Sequence, residues 1–91
     1  MKTIWKFPIE IADVQEIMAP GGSTVSINYV GLDPTGTPCI WCEVEPAKPK
    51  SALKIYVVGT GHPIPEDGGR FVGTFVQPPF VWHVYADVLP F

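Results

Sequence analysis

The sequence predicts an all-β domain, built as a single small sandwich or partly open barrel of about six to seven short, mainly antiparallel strands. β-branched residues number 25, whereas Ala, Leu and Met together number 10, and β-branched side chains favour strands. Apolar and polar residues alternate in several runs that are separated by turn residues. Gly and Pro supply 20 of the 91 residues, as expected where tight turns join short strands. A chain of this length forms one domain, residues 1–91.

Seven runs along the chain account for these strands. In the first run the apolar and polar side chains occupy opposite faces, and Pro8 marks it as an edge or bulged strand. Residues 11–18 leave a choice between a strand and one or two helical turns, and we favour the strand. The predicted strands cover residues 2–11, 14–18, 25–29, 37–45, 53–58, 70–76 and 80–86.

The segment between the fifth and sixth strands, Gly59 to Gly69, is too rich in Gly and Pro to be anything but a loop. Its glycines allow close approach to a ligand, and their N–H groups can bind an anion. His62 and Arg70, the only arginine of the chain, flank the loop. We therefore expect a phosphate site here; the alternative is a rigid connection fixed by its prolines. The candidate ligand-binding residues of this region are Gly59, Thr60, Gly61, His62 and Arg70.

The three tryptophans suggest a further role for aromatic side chains. Eleven aromatic residues exceed what so small a core must hold, and a flat amphipathic ring contributes most at an interface or in a cleft. We include Trp5 and Trp41 among the candidate ligand-binding residues, although both could simply fill the core. Because so short a chain buries only about 60 to 65% of its surface, we also expect a homo-oligomer, a dimer or higher.

The two cysteines and two histidines are the ligand types of a zinc site. However, Cys39 and Cys42 lie three residues apart on a predicted strand and so point to opposite faces. We interpret them as buried structural cysteines and His83 as a partly buried histidine with satisfied hydrogen bonds. No arrangement of nucleophile, base and acid is visible. We therefore expect no metal, no cofactor and no catalytic residues, hence a protein that is not an enzyme.

The charge balance argues against two classes of partner. The net charge is −3 and the six basic residues are scattered, whereas proteins that bind polymeric nucleic acid carry a basic stripe. No segment approaches the roughly 20 apolar residues of a membrane span, and the first residues lack the apolar region of a signal peptide. We expect a cytoplasmic protein with neither a membrane nor a polymeric nucleic-acid partner.

Five segments together resemble a family of small phage and prophage proteins of uncharacterised function. They are Lys2–Ile9, Thr37–Trp41, Val58–Pro65, Gly73–Phe75 and Val81–Val84. The most specific stretch is Gly-Thr-Gly-His-Pro-Ile-Pro, and the likeness covers nearly the whole chain. Where the family is expected to have a small residue such as alanine, this chain has Cys42, which weakens a Cys-x-x-Cys metal site further.

The resemblance implies a phage accessory protein that acts in the cytoplasm of an infected bacterium, and counter-defence is a plausible class. Within that class we expect a protein that binds and sequesters a small phosphate-bearing nucleotide signal, because such a ligand needs only a few positive groups. The alternatives are a protein inhibitor of a host defence nuclease, which the acidic net charge favours, and a virion or assembly accessory protein.

Overall fold

The computed structural model of the chain describes residues 1–89, which form seven β-strands in two antiparallel sheets packed as a sandwich. The predicted all-β fold is confirmed, and the sandwich is the architecture that forms. Residues 90 and 91, the end of the predicted domain, lie outside the described residues. The strands are β1 (Thr3–Pro8), β2 (Val14–Pro20), β3 (Ser26–Leu32), β4 (Pro38–Val44), β5 (Lys50–Gly59), β6 (Arg70–Gln77) and β7 (Phe80–Ala86).

The strand order is β1-β4-β3 in the three-stranded sheet and β2-β5-β7-β6 in the four-stranded sheet. Each predicted strand is present, although the first ends at Pro8 instead of residue 11. Of residues 11–18, residues 14–18 belong to a strand and none belongs to a helix. A turn of 3-10 helix, Gly22–Thr24, links the two sheets. β5 begins at Lys50, three residues before the predicted start, because Lys50 to Ala52 pair with the end of β2. Pairing with a neighbouring strand thus sets the strand ends.

The core lies between the inward faces of the two sheets. Its largest fully buried side chains include Ile40 from the three-stranded sheet and Leu53, Ile55 and Val84 from the four-stranded sheet. Full burial of such a side chain contributes about 1.5 to 3 kcal/mol. Neither sheet buries its apolar face without the other, so burial of these side chains holds the sandwich together.

The two cysteines occupy opposite faces of β4, as predicted. Cys42 faces the core beside Trp5, whereas Cys39 pairs with Pro8 and Gly31 on the other face, and neither side chain is exposed. Burial raises the pKa of the Cys42 thiol to about 12 and also raises the pKa of Cys39. Both cysteines are therefore inert thiols held in packed surroundings.

The connection between β5 and β6 crosses the four-stranded sheet. β7 lies between these two strands and is antiparallel to both, so β5 and β6 are parallel to each other. β5 ends opposite Trp82, and β6 begins opposite Ala86. The loop that joins them passes over the outer face, where it covers Val58. This crossover loop, residues 60–69, borders the hollows described next.

Candidate functional site

A turn at the start of the crossover loop separates two hollows in the surface. The His62 N–H donates to the Gly59 carbonyl at 3.0 Å, which closes the turn Gly59–His62. Gly61 has a φ of 90°, a conformation that favours glycine. The hollow on one side of the turn has a volume of about 550 Å³, and the other has a volume of about 260 Å³. Gly59 and His62 border both hollows.

The larger hollow, which we call the turn cleft, opens where β5 extends past the first residue of β2. β2 begins at Val14, which pairs with Tyr56, so the last three residues of β5 continue beyond it. Volumes of 300 to 1,000 Å³ are typical of small-molecule sites. The lining is mainly apolar, and Asp13 and His62 supply its charged and titratable side chains. The cleft is lined by Ile11, Ala12, Asp13, Val57, Val58, Gly59, His62, Pro63, Pro65 and Trp82.

One wall of the turn cleft is fixed by a pair of hydrogen bonds at its base. The Gln15 side chain accepts from the Glu10 N–H at 2.9 Å and donates to the Glu10 carbonyl at 2.8 Å. This bidentate contact closes the connection between β1 and β2 and holds Ile11 to Asp13 against the cleft. The opposite wall includes Trp82, whose indole N–H donates to the Gln77 side chain at 3.2 Å. Hydrogen bonds within the chain therefore anchor both walls.

The smaller hollow lies on the outer face of the sheet and contains a line of hydrogen-bonded side chains. The His83 Nε2 is 2.7 Å from the Thr60 hydroxyl, and its Nδ1 is 3.0 Å from the Thr74 hydroxyl. Both ring nitrogens thus have partners, as predicted for a satisfied histidine. Thr60, Thr74 and His83 come from three of the segments on which the family resemblance rests, and the fold brings them together.

The structure brings four of the seven predicted ligand-binding residues together. Gly59 and His62 border the turn cleft, and all four residues from Gly59 to His62 border the smaller hollow. Two N–H groups of the turn already have partners within the chain and are not available to an anion. The Thr60 N–H donates to the Val81 carbonyl at 3.3 Å, and the His62 N–H donates to the Gly59 carbonyl. Among the described residues, no backbone hydrogen bond uses the Gly61 N–H.

The other three predicted residues lie elsewhere. Arg70 pairs with Ala86, four residues along β7 from the partner of Gly59, a separation of roughly 13 Å. The Arg70 guanidinium reaches the Leu89 carbonyl at 3.5 Å. Trp5 packs on the core and Trp41 lies beside Tyr29 on the outer face of the other sheet. One chain therefore does not combine these three residues with the turn. The crossover loop carries Arg70 to the far end of β7, and Trp5 and Trp41 belong to the other sheet.

The residues that sequence reasoning missed in the cleft include its aromatic side chain, Trp82, and its acidic side chain, Asp13. The Trp82 ring lies against Gly59, close enough that an added Cβ on Gly59 would stand 3.2 Å from it. The alternating pattern of β7 places Trp82 on the inward face, but the strand register decides that it meets Gly59. Asp13 lies between two strands, where hydropathy patterning carries no information about the site.

The amino-acid sequence of this chain matches a known protein-family model. The model described as a domain of unknown function, DUF7352, matches residues 1–90. The chain belongs to this family. No curated protein and no solved structure matches the chain. The chemistry of the turn cleft is therefore the main indication of what this DUF7352 domain does.

Within residues 1–89, no helix is both long and apolar enough to cross a membrane. Across the same described range, no group of three or more His, Cys, Asp or Glu side chains is arranged to hold a metal ion.

Proposed function

We propose that this protein binds a small nucleotide in the turn cleft and holds it without reaction. The observation that carries the proposal is a largely apolar cleft of about 550 Å³ between Trp82, Ile11–Asp13 and the turn Gly59–His62. A cleft of this size accommodates one nucleoside unit of a small nucleotide ligand. Hydrogen bonds within the chain hold both walls in position, which lowers the entropic cost of binding.

The cleft suits a flat heterocyclic ring. Trp82 offers an aromatic surface, and Pro63 and Pro65 add rigid apolar contacts on the side of the crossover loop. The Asp13 carboxylate can accept hydrogen bonds from the amino or imino group of a base. An apolar slot with one acceptor at its border therefore favours a nucleobase over an aliphatic ligand.

A phosphate on such a ligand finds two donors at the same turn. The His62 ring is exposed at the border of the cleft, and the Gly61 N–H is free of backbone partners within the described residues. In one chain Arg70 is too far away to join them. A ligand with several phosphates would gain Arg70 if a second subunit supplies it, as we expect for an oligomeric site.

The surroundings of His83 support binding without catalysis. A histidine that activates a hydroxyl is commonly oriented by a carboxylate on its other nitrogen. Here both neighbours are threonine hydroxyls, at 2.7 and 3.0 Å. This arrangement satisfies the ring and fixes the end of β5 to β7 and β6. We therefore assign His83 a structural role beside the cleft.

The resemblance to phage and prophage proteins supplies the proposed setting. A non-enzymatic protein that holds a nucleotide in the cytoplasm of an infected bacterium would sequester an immune signal and so act in counter-defence. This setting predicts that the protein carries its ligand when it is purified from cells with an active signalling defence. Mass spectrometry of small molecules released on denaturation is the direct measurement.

Calorimetry tests the binding proposal on purified full-length protein. The probes are cyclic dinucleotides, cyclic trinucleotides and cyclic ADP-ribose isomers. We expect one of them to bind and His62→Ala to weaken that binding about ten- to a hundredfold, the effect of losing a charge-assisted hydrogen bond. If no probe binds more tightly than millimolar, the nucleotide proposal fails and inhibition of a host nuclease becomes the better hypothesis.

Two control variants locate the bound ligand. Trp82→Phe alters the cleft, whereas Trp41→Phe alters a tryptophan on the outer face of the other sheet, so only Trp82→Phe should change affinity. Equal effects of the two substitutions would place the ligand outside the turn cleft.

Arg70→Ala weakens binding only if a second subunit completes the site, because Arg70 and the cleft of one chain lie at opposite ends of β7.

A further inference from the structure

Within the described part of the chain, Asp13 is the one acidic residue that lines the turn cleft. It lies on the connection between β1 and β2, directly after Ile11 and Ala12, which line the same wall. The Asp13 side chain is exposed, and among residues 1–89 no hydrogen bond or ion pair uses its carboxylate. Both carboxylate oxygens are therefore available to a ligand in the cleft.

Guanine is the common base whose hydrogen-bonding edge best matches a carboxylate. A carboxylate accepts hydrogen bonds and donates none. The Watson–Crick edge of guanine carries two adjacent donors, N1–H and the 2-amino group, so each carboxylate oxygen can accept one of them. On the same edge, every other common base places an acceptor beside each donor, and that acceptor opposes the carboxylate.

We propose that the turn cleft selects guanine and that Asp13 is the residue that determines this choice. The inference rests on the proposed function, because it names which nucleotide the same cleft takes. Guanine N1–H and the 2-amino group donate to the Asp13 carboxylate. The purine ring lies in the apolar part of the cleft, where Ile11 and Trp82 provide contact surface.

The position of Asp13 next to the sheet keeps the carboxylate apart from the phosphate donors. The following residue, Val14, pairs with Tyr56, and Gly59 comes three residues later on β5, a distance of roughly 10 Å. The His62 ring belongs to the turn that begins at Gly59. A base at Asp13 therefore leaves its phosphate near the turn, where distance and salt weaken the repulsion from the carboxylate.

Calorimetry with a matched pair of probes, cyclic di-GMP and cyclic di-AMP, tests the choice of base. The two probes have the same sugars and phosphates and differ only in the base. We expect cyclic di-GMP to bind at least about tenfold more tightly, the discrimination that one bidentate contact provides.

Asp13→Asn should lower this ratio of affinities at least about tenfold. The asparagine amide opposes one donor of guanine with its own amino group, whereas its oxygen and amino group together match the donor and acceptor of adenine. The ratio is the useful measurement, because removing a negative charge strengthens the binding of both anionic probes alike.

Glu10→Gln is the matched control. It removes a negative charge three residues before Asp13, at a residue that does not line the cleft. Glu10 contacts Gln15 through its backbone N–H and carbonyl, so the substitution keeps the wall in place. We expect Glu10→Gln to leave the ratio unchanged, and far-UV circular dichroism checks that both variants are folded.

The results separate a wrong base from a failed ligand site. If cyclic di-AMP or a cyclic ADP-ribose isomer binds as tightly as cyclic di-GMP, or if Asp13→Asn leaves the ratio unchanged, the cleft binds a nucleotide but Asp13 does not select guanine. An equal change of the ratio in Glu10→Gln would also overturn the role of Asp13. If no probe binds more tightly than millimolar, the nucleotide proposal itself fails, and the choice of guanine fails with it.

Discussion

At the scale of single residues, Asp33 shows how one carboxylate organises a turn. Its Oδ1 accepts from the Thr35 hydroxyl at 2.7 Å, the Thr35 N–H at 2.9 Å and the Thr37 N–H at 3.0 Å. Its Oδ2 accepts from the Lys6 ammonium at 2.9 Å. The hydrogen bond from the Thr35 hydroxyl, and to a smaller extent the one from Lys6, holds the pKa of Asp33 well below its usual range. Asp33 in turn raises the pKa of Lys6. The ionised carboxylate therefore connects the β3–β4 turn to β1.

These contacts predict a pH-dependent contribution of Asp33 to stability. Because folding lowers the pKa of Asp33, its contribution is complete above the usual carboxyl pKa of about 4 and decreases as the pH falls below that value. Asp33→Asn should therefore lower the free energy of unfolding at pH 7, and the difference from the unmodified protein should shrink between about pH 5 and pH 2. Urea unfolding at a series of pH values measures this difference. A difference that stays constant would show that ionisation of Asp33 does not contribute.

At the scale of elements, close contact between β6 and β3 joins one side of the sandwich. A Cβ added to Gly73 of β6 would lie 2.9 Å from the Cβ of Val30 in β3. Gly31 of β3 is also crowded, but there the neighbour is the ring of Tyr29, which is 61% exposed. Val30 is buried and its Cβ moves with the backbone, whereas an exposed tyrosine ring can rotate away.

The two glycines should therefore respond differently to substitution by alanine. Gly73→Ala forces the two sheets apart and should lower the free energy of unfolding by about 1 to 3 kcal/mol, the range for an overpacked site. Gly31→Ala, the matched control, should cost less than about 1 kcal/mol because Tyr29 can move. Chemical denaturation of both variants gives the comparison. Similar losses would mean that the spacing between β6 and β3 does not depend on Gly73.

At the scale of the whole molecule, the two sheets depend on a shared core. Ile40 from the three-stranded sheet and Leu53 and Val84 from the four-stranded sheet have no exposed surface. A three-stranded and a four-stranded sheet without this core would each leave an apolar face in water. We therefore expect the sandwich to unfold as one cooperative unit.

Ile40→Ala tests this coupling. Removing a fully buried isoleucine should cost about 2 to 5 kcal/mol, whereas Ile4→Ala at an exposed position should change stability by less than about 0.5 kcal/mol. Tryptophan fluorescence, which includes Trp41 in one sheet and Trp82 in the other, and far-UV circular dichroism should give the same midpoint for each variant. Different midpoints would show that the sheets unfold separately.

The amino-acid pattern was enough to predict the strands, the loop and the faces of regular strands. Alternation of apolar and polar residues located all seven strands, and the three-residue spacing of Cys39 and Cys42 predicted their opposite faces, because these patterns depend on local geometry. The Gly and Pro content of residues 59–69 likewise predicted the loop that borders the candidate site, although its first predicted residue, Gly59, is the last residue of β5.

Which distant residues share that site depends on how the strands pack in three dimensions. The crossover between parallel strands β5 and β6 separates Arg70 from Gly59 to His62, and the register of β5 with β7 brings Trp82 to Gly59. Strand order and register arise from packing between segments far apart in the chain, and a local pattern of residues does not encode them. For the same reason, Trp5 and Trp41 lie on opposite faces of the other sheet, away from the turn cleft.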